Sequence, residues 1–461
     1  MIPRTTLAMA GVHHGVSRVH LFPGDGREAA AVLLCARGPG PRDRYAVREV
    51  IPVPHSDCTV READRVSWPG AWIETAIDRG ERDDLTIVLL HSHPGNMLGF
   101  SDQDDASDRE VMPAIFQAYG RVHGSAVMTP DGAVRARFYD PSMAVHDVDL
   151  VTVVGDDLDF HWRPENPFAR AKRPVAFTSA MTKELGGLTA VIIGVSGTGS
   201  VTAEQAARLG FGRVILIDFD KVEFKNLNRI VNSTLDDARL GIVKVAMMAA
   251  SITEYRGDGV AVPVESSIDR REAVIAAAQG DVLFSCVDTH HGRQMADLIA
   301  SAFVMPLFDM GVTIPVRTTN DGFAVADAVG RIDYVQPGAS TLRSRGVWTP
   351  ASVRAEYLAM NAPDQHAQEV ADGYIDGAIE EAPAVVSLNM RAASSAMNEF
   401  LARGYPFRLD PNRQYARTIF SLAGGDEDHC GEDDFEPGSS KLLGRGGVEP
   451  LLGIPGLGTG E

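Results

Sequence analysis

Residues 190–209 read AVIIGVSGTGSVTAEQAARL and combine three patterns in one short segment. Ala190–Ile193 is an apolar run typical of a buried strand, Gly194–Ser200 is a glycine-rich turn, and Val201–Leu209 is typical of a helix. In this order the backbone amides of the turn and the helix N-terminus face an anion, which predicts a phosphate-binding cradle. Strand-like and helix-like runs alternate from Leu188 to Phe308, so we expect a doubly wound α/β sheet here.

Polar residues follow the cradle at the ends of later strand-like runs. Arg213–Ile217 is followed by Asp218-Phe-Asp220, then by Asn226-Leu-Asn-Arg229, and the run from Asp281 ends at Asp288. A site that moves phosphoryl groups needs a dense, fixed positive field and a magnesium ligand. Gly194, Gly197 and Gly199 are the candidate phosphate-binding residues of the turn.

This succession resembles the ThiF and ubiquitin-activating enzyme family. The resemblance implies a Rossmann-like adenylyltransferase that uses ATP, with the ribose on the aspartate after the second strand and Mg²⁺ on Asp288. The nucleotide-binding residues that it implies outside the turn are Asp218, Asp220, Asn226, Arg229, Lys244 and Asp288. It implies catalytic roles for Arg229 and Lys244 at the phosphates. It also implies an arginine from an upstream helix, often supplied by the partner subunit of a homodimer, for which we choose Arg170, with Arg173 close by. Ser196 and Ile230 depart from the family pattern of glycine and glutamine.

A second pattern lies nearer the N-terminus, where His91-Ser-His93-Pro is followed by Ser101 and Asp104. Two imidazoles at i and i+2 on a strand point the same way, and a carboxylate at the start of a helix can approach them. Two histidines and one carboxylate leave the fourth position of a tetrahedral zinc site open for water. We therefore predict a one-metal hydrolase site in which Zn²⁺ is bound by His91, His93 and Asp104.

The spacing of this pattern resembles the JAMM (MPN-plus) metalloproteases. The resemblance implies that Ser101 helps to stabilise the oxyanion and that an upstream glutamate is the general base. Glu28 heads the apolar run Ala29–Leu34, as the family requires, although Ala31 stands where glycine is usual. Glu49, before Val50–Val53, is the rival candidate for the base.

Composition narrows the class of protein. With 62 acidic and 43 basic residues the formal charge is −19, which disfavours a nucleic-acid partner. We find neither an apolar run of membrane-spanning length nor a secretion signal, and therefore expect a cytoplasmic enzyme without a membrane partner.

The four cysteines, which contain no Cys-x-x-Cys pair, predict neither a disulfide framework nor a four-cysteine zinc clamp. Cys35 and Cys286 lie in apolar runs and are expected in the core. Cys430 is the candidate nucleophile for a thioester, since it follows His429 in a segment rich in glycine. Seven carboxylates between Asp426 and Glu436 disfavour its thiolate, so the alternative is a solvated cysteine without a role.

We expect three parts: a mixed α/β unit of the JAMM type over residues 1–155, a Rossmann-like doubly wound ThiF-type unit over 156–423, and a flexible tail over 424–461. The tail is predicted from its Gly, Pro and acidic composition. Within the second unit, Ala382–Arg403 has apolar residues at helical spacing and predicts the long helix that closes the fold.

Together the two resemblances imply an enzyme that both processes and activates one ubiquitin-like protein. The zinc site would cleave after its C-terminal glycine as a peptidase or isopeptidase, and the second site would adenylate the exposed carboxylate. The resemblance points to bacterial ubiquitin-like conjugation systems, some of which serve antiviral defence, with a conjugating enzyme as a further partner. The alternatives are the same two activities on a sulfur-carrier protein and, in another class, a non-catalytic binding scaffold.

Overall fold

The computed structural model describes residues 2–169, 172–319, 322–363 and 385–459. The chain forms two compact units. The first contains residues 3–173, 301–304 and 440–461, and the second contains residues 1–2, 174–300 and 305–439. The units therefore meet in sequence at residues 173–174 rather than at the expected 155–156. The reason is that Leu158–Trp162, which the sequence analysis assigned to the second part, is a strand that pairs antiparallel with Leu150–Val154.

The first unit is a mixed α/β layer structure. Its elements are β1 (Thr5–Ala10), α1 (Gly11–Leu21), β2 (Ala30–Arg37), β3 (Asp43–Pro52), β4 (Val60–Arg61), β5 (Val66–Ser67), α2 (Ala71–Asp83), β6 (Thr86–Ser92), α3 (Asp102–Ala118), β7 (His123–Met128), β8 (Val134–Tyr139), β9 (Val145–Asp147), β10 (Leu150–Val154) and β11 (Leu158–Trp162). Nine strands form one sheet in the order β11-β10-β1-β3-β2-β6-β7-β8-β9, and β4 and β5 form a separate hairpin.

Strand β2 is the centre of this unit because its residues are buried on both faces of the sheet. Leu33 and Cys35 pack into one apolar cluster, whereas Val32 and Leu34 pack into a second one. This division follows from the strand period of two, by which successive side chains point to opposite faces. A strand buried on both sides reads as a continuous apolar run, which is how the sequence presents it. The buried position of Cys35 confirms the core prediction.

The second unit is built on a sheet of eight strands with helices around it. Its elements are α4 (Ser179–Leu185), β12 (Thr189–Ile193), α5 (Gly197–Leu209), β13 (Arg213–Ile217), α6 (Leu235–Leu240), α7 (Lys244–Arg256), β14 (Ala261–Val264), α8 (Arg271–Ala277), β15 (Val282–Ser285), α9 (His290–Phe303), β16 (Leu307–Thr313), β17 (Val316–Thr319), β18 (Gly322–Val325), β19 (Val329–Val335), α10 (Pro350–Asn361), α11 (Val386–Gly404), β20 (Arg417–Ser421) and β21 (Asp426–Cys430). The sheet order is β14-β13-β12-β15-β16-β19-β20-β21, and β17 pairs with β18 separately.

The first five strands of this order are parallel and the last three are added antiparallel. Strand order reverses between β12 and β15, because β13 and β14 lie on one side of β12 and β15 and β16 on the other. In open α/β sheets a ligand binds beyond the carboxyl ends of the strands at such a switch point. The doubly wound α/β class predicted from the sequence is confirmed in this parallel half.

Helix α11 packs its apolar side on the sheet. The ring of Phe400 lies 5.4 Å from that of Phe211 and 6.0 Å from that of Phe308, measured between centroids. The described part of the predicted helix, 385–403, is helical from Val386, and residues 382–384 lie outside the described residues.

Among the helices in the described ranges, none is long and apolar enough to cross a membrane.

The predicted tail from residue 424 onward contains secondary structure. Strand β21 (Asp426–Cys430) pairs antiparallel with β20 through a turn that includes Gly425 in a left-handed conformation. The acidic side chains that suggested disorder are exposed on this edge strand, where charge is compatible with strand structure.

Residues 440–459 return to the first unit. The amide of Gly447 donates to the carbonyl of Arg37 at 2.8 Å. Gly444 and Gly446 approach β3 and β2 so closely that an added Cβ would lie 2.4 Å from the Val47 oxygen and 2.7 Å from the Ala36 Cβ. Four leucines of this segment are buried, namely Leu443, Leu451, Leu452 and Leu457.

Candidate active sites

The histidine pattern forms a compact group at the end of β6. The Nε2 atoms of His91 and His93 lie 2.9 Å apart, and they lie 3.0 Å and 3.4 Å from the two carboxylate oxygens of Asp104. One ligand atom from each residue falls within 4.8 Å of the others. His93 is oriented by its Nδ1, which is 2.8 Å from the carbonyl oxygen of Met97. The three predicted zinc ligands are therefore brought together.

The donor set fits a tetrahedral zinc ion. Zinc bonds of about 2.0 Å place neighbouring ligand atoms about 3.3 Å apart, close to the separations seen here. Hydrogen bonding of a ligand imidazole through its second nitrogen, as in His93, is the usual support for such a site. Burial acts to raise the pKa of Asp104, but hydrogen bonds from His91 and His93 hold that pKa well below its ordinary value. The carboxylate is thus ready to serve as an anionic ligand.

Ser101 and Asp104 are linked by the start of α3. Ser101 is the N-cap residue, and its Oγ accepts from the Asp104 amide at 3.2 Å while donating to Asp104 Oδ2 at 2.8 Å. The Ser101 amide donates to the same oxygen at 2.6 Å. This reciprocal capping box explains the spacing of three residues and fixes the carboxylate beside the histidines. The Ser101 hydroxyl consequently lies one hydrogen bond away from the ligand group.

Glu28 precedes β2 at the end nearest the histidines. The register pairs Ala30 with His91, and the Ser92 amide donates to the Ala29 carbonyl at 3.0 Å. The side chain is buried, and burial, with a contribution from the charge of Asp104, raises the pKa of Glu28 to about 7 against the opposing influence of His93. A buried carboxylate beside a ligand group is suited to accept a proton.

Glu49, the rival, lies elsewhere on the sheet. It pairs in register with Leu34, four residues along β2 from Ala30 and so roughly 13 Å away. Its carboxylate forms an ion pair with Arg79, and its side chain is 42% exposed. This position favours Glu28 as the candidate base.

In the second unit the glycine-rich turn connects β12 to α5. Gly194 has φ +82°, a left-handed conformation that glycine adopts without strain. At Gly199 an added Cβ would lie 1.7 Å from the Gly194 carbonyl oxygen. Helix α5 begins at Gly197, so the free amides of its first turn face the space beyond the sheet edge. The predicted succession of strand, glycine turn and helix is therefore present, and its role in binding phosphate stays a prediction.

We expect Gly199→Ala to destabilise the second unit by about 3 kcal/mol, because the methyl group would overlap a backbone atom that cannot move away. The measurement is the unfolding free energy of that unit by calorimetry. Gly15→Ala is the control, since this exposed position of α1 has no described atom within 4 Å of an added Cβ. A melting temperature for Gly199→Ala equal to that of the unchanged protein would show that the turn has another conformation.

The aspartates after β13 differ in environment. The Asp218 carboxylate accepts from the Val195 amide at 2.7 Å and from the Asp220 amide at 2.8 Å, and burial raises its pKa. Asp218 thus ties the glycine turn to the neighbouring strand. The Asp220 carboxylate is half exposed and accepts from Lys244 Nζ at 2.7 Å. Lys244 is buried at the start of α7, and this pair places a cation beside the cradle.

Asn226 and Arg229 lie in the segment that follows. The Oδ1 atom of the buried Asn226 side chain accepts a hydrogen bond from the Glu223 amide at 3.1 Å. The main-chain carbonyl of Asn226 accepts one from the Arg229 amide at 3.0 Å. Asn226 therefore shapes the segment that carries Arg229. The Cδ of Arg229 lies 3.4 Å from the Cβ position of Gly197, which places this side chain next to the first turn of α5.

Asp288 lies just beyond the carboxyl end of β15, the strand next to β12. Its side chain is exposed, and within the described part of the chain it has no hydrogen-bond or ion-pair partner. A free carboxylate at the switch point fits a magnesium ligand, since Mg²⁺ is held by one or two carboxylates together with substrate phosphates. Arg293, in the helix that follows, lies 3.6 Å from the buried Asp309.

Two predicted catalytic residues are not found beside the glycine-rich turn of the second unit. Arg170 lies outside the described residues, so its role stays a prediction. Cys430 is in the edge strand β21, five strand intervals from β12, which corresponds to roughly 24 Å. Cys286, in contrast, is buried at the end of β15, as expected for a core cysteine, and burial raises its pKa to about 12.

Residues that the sequence analysis did not select also contact these sites. Arg61, in β4, donates to the carbonyl oxygen of Glu28 at 2.9 Å and pairs with Asp25 at 2.7 Å. Asn389, in α11, lies against Gly197 of the cradle. Neither belongs to a local motif, because each reaches its site from a distant element. The only signal for Asn389 is a polar residue on the apolar side of a predicted helix.

Comparison with known proteins relates both regions to families. Residues 170–386 match the ThiF family, and residues 13–140 match the prokaryotic homologs of the JAB domain. Both agree with the resemblances predicted from the motifs. The chain is 32% identical over 160 residues to ubiquitin-like modifier-activating enzyme 5 of Drosophila melanogaster, covering 32% of this chain and 36% of that protein. It is 28% identical over 167 residues to the Bombyx mori protein, covering 33% and 38%. The chain thus spans little more than a third of these relatives.

The solved structures that match this chain include two of E. coli MccB. The one with ATP has a TM-score of 0.42 at 14% identity, covering 57% of this chain and 68% of that chain. The one with MccA-N7isoASN has a TM-score of 0.42 at 15% identity, covering 55% and 66%.

Proposed function

We propose that this chain, which joins a region of the prokaryotic JAB type to a region of the ThiF type, processes and then activates a ubiquitin-like protein. The first unit would cleave after the C-terminal glycine of that protein. The second unit would adenylate the exposed carboxylate with ATP and Mg²⁺. The observation that supports the proposal is that His91, His93 and Asp104 converge in the first unit, while the glycine-rich turn, Lys244 and Asp288 follow the carboxyl ends of parallel strands in the second.

In the first unit, Zn²⁺ bound by His91, His93 and Asp104 would supply an acidified water and polarise the scissile carbonyl. Glu28 would accept a proton from the attacking water, for which its buried carboxylate and raised pKa are suited. It then delivers the proton to the leaving amine. Ser101 would turn its hydroxyl hydrogen from Asp104 Oδ2 to the oxygen that becomes negative, near which the capping box holds it.

In the second unit the carboxylate of the substrate attacks the α-phosphate of ATP, and pyrophosphate leaves. The amides of the first turn of α5, Lys244 and Arg229 together supply positive charge around the phosphates. Asp288 would hold Mg²⁺ at the same edge of the sheet. Because these groups are fixed before the reaction, they stabilise developing charge without reorganisation. A homodimer with Arg170 supplied by the partner subunit is part of the proposal and rests on the family resemblance.

The partner must first be identified, because the sequence does not specify it. Mass spectrometry of proteins that co-purify with the chain should give a small β-grasp protein with a terminal or near-terminal glycine. ATP–pyrophosphate exchange that depends on its free terminal glycine would support the proposal, and no exchange with any glycine-ending partner would contradict it. Transfer of sulfur rather than a protein conjugate as the product would favour the sulfur-carrier alternative.

We expect Cys430→Ala to retain transfer of the activated partner to an acceptor. The edge position of Cys430, far from the cradle, supports direct transfer to a separate conjugating enzyme. The measurement is a non-reducing gel after incubation with ATP and the partner, with Cys58→Ala as the control for loss of an unrelated, partly exposed cysteine. A thiol-sensitive adduct that disappears only in Cys430→Ala would instead establish this residue as the carrier.

A further inference from the structure

Asn389 is a buried polar residue whose side chain does not help to hold the described part of the fold together by hydrogen bonding. It is 3% exposed, and within the described residues its amide group has no hydrogen-bond partner. Other buried asparagines of this unit are satisfied. Asn412 donates to the Ala402 carbonyl at 3.0 Å, and Asn226 accepts from the Glu223 amide at 3.1 Å. Because buried polar groups are almost always bonded, an unpaired one points to a ligand that completes it.

The side chain of Asn389 is aimed at the phosphate cradle. A Cβ built on Gly197 would lie 2.2 Å from Asn389 Nδ2 and 3.4 Å from Arg229 Cδ. Gly197 is the first residue of α5, whose free amides attract an anion. Two different elements thus bring donors to one point, the N-terminus of α5 and the Asn389 amide, and the aliphatic part of Arg229 lies beside them. A side chain at position 197 would have to displace the Asn389 amide.

The position of Asn389 is fixed by the packing of α11 on α5. Gln205 Nε2 donates to Ser394 Oγ at 2.7 Å, which joins the two helices a little farther along. The Gln205–Ser394 hydrogen bond and the contact of Asn389 with Gly197 together set the register of α11 on α5. They hold the Asn389 amide over the start of α5. A donor that is held in place before binding loses little freedom when a ligand arrives.

We propose that Asn389 is a further nucleotide-binding residue, which donates from its side-chain amide to a phosphate oxygen at the first turn of α5. This inference rests on the proposed adenylation function and deepens it. A neutral amide completes the anion site without adding charge. The amide therefore donates a hydrogen bond to phosphate from a position that the cationic side chains of Lys244 and Arg229 do not occupy.

The experiment measures binding of α,β-methylene ATP with Mg²⁺ by calorimetry, so that no turnover and no partner protein are needed. Asn389→Ala is expected to weaken binding roughly tenfold, the usual loss for a hydrogen bond to a charged group. Asn389→Asp has the same shape and should weaken it more, because its carboxylate repels phosphate. Asn398→Ala is the matched control, since nine residues along α11 correspond to the opposite face, where Asn398 is exposed.

Adenosine, which lacks phosphate, separates a phosphate contact from a structural role. Its binding, followed by saturation-transfer NMR, should be the same in Asn389→Ala and in the unchanged protein. Unaltered affinity for the ATP analogue, or an equal loss for adenosine, would overturn the inference. If the unchanged protein fails to bind the ATP analogue, the proposed adenylation function itself is contradicted, an outcome distinct from normal binding by both proteins.

Discussion

Glu28→Gln is expected to lower cleavage of a ubiquitin-like fusion by at least roughly 100-fold while zinc stays bound, because it removes a proton acceptor and no metal ligand. The side chain keeps its size, and the backbone contacts of Glu28 with Arg61 and Glu62 are made by main-chain atoms that the substitution leaves intact. The rate of cleavage after the terminal glycine and the zinc content by elemental analysis are the two measurements.

Glu49→Gln is the matched control for this prediction. It loses an ion pair with Arg79 at the other end of β2, and such a half-exposed pair contributes little to stability. Cleavage should therefore remain near that of the unchanged protein. Normal cleavage by Glu28→Gln together with loss in Glu49→Gln would reverse our assignment of the base.

In the second unit, Asp288→Asn should reduce ATP–pyrophosphate exchange by at least roughly 100-fold, since the variant loses the charge that holds Mg²⁺ and keeps the size of the side chain. Exchange in the presence of the co-purified partner is the measurement. Because Asp288 is exposed and unpaired among the described residues, the fold should be unaffected.

Asp258→Asn is the control for this prediction, because this exposed aspartate precedes β14 and so lies at the amino edge of the parallel strands. It should exchange normally. Equal loss in both variants would indicate a general effect of charge, and full activity of Asp288→Asn would remove Asp288 from the site.

The ligand motif was predictable because its parts are close in sequence. His91 and His93 lie on one strand end, and Ser101 and Asp104 form a capping box within one helical turn. The glycine turn was predictable for the same reason, since backbone geometry requires glycine at Gly194 and Gly199. The choice between Glu28 and Glu49 needed the register of β2 with β6, which joins residues about sixty positions apart.

Other features depended on tertiary contacts that the sequence does not encode locally. Asn389 reaches the cradle only through the packing of α11 on α5, so an isolated asparagine in an apolar pattern gave no hint of its place. Strand β21 was read as tail because acidic composition resembles that of disordered segments. Its pairing with β20 is what gives Asp426–Cys430 an extended conformation.

The return of residues 440–459 to the first unit bears on how the protein can be divided for expression. A fragment that ends at residue 173 would contain the whole metal-ligand group yet would leave the backbone of Arg37 and the surface of Ala36 uncovered. Removing the last twenty or so residues from the full chain would have the same effect on the peptidase half, although the cut is made at the far end of the polypeptide. The first compact unit is therefore built from separate segments of the chain, and a single cut at residues 173–174 does not separate the two units.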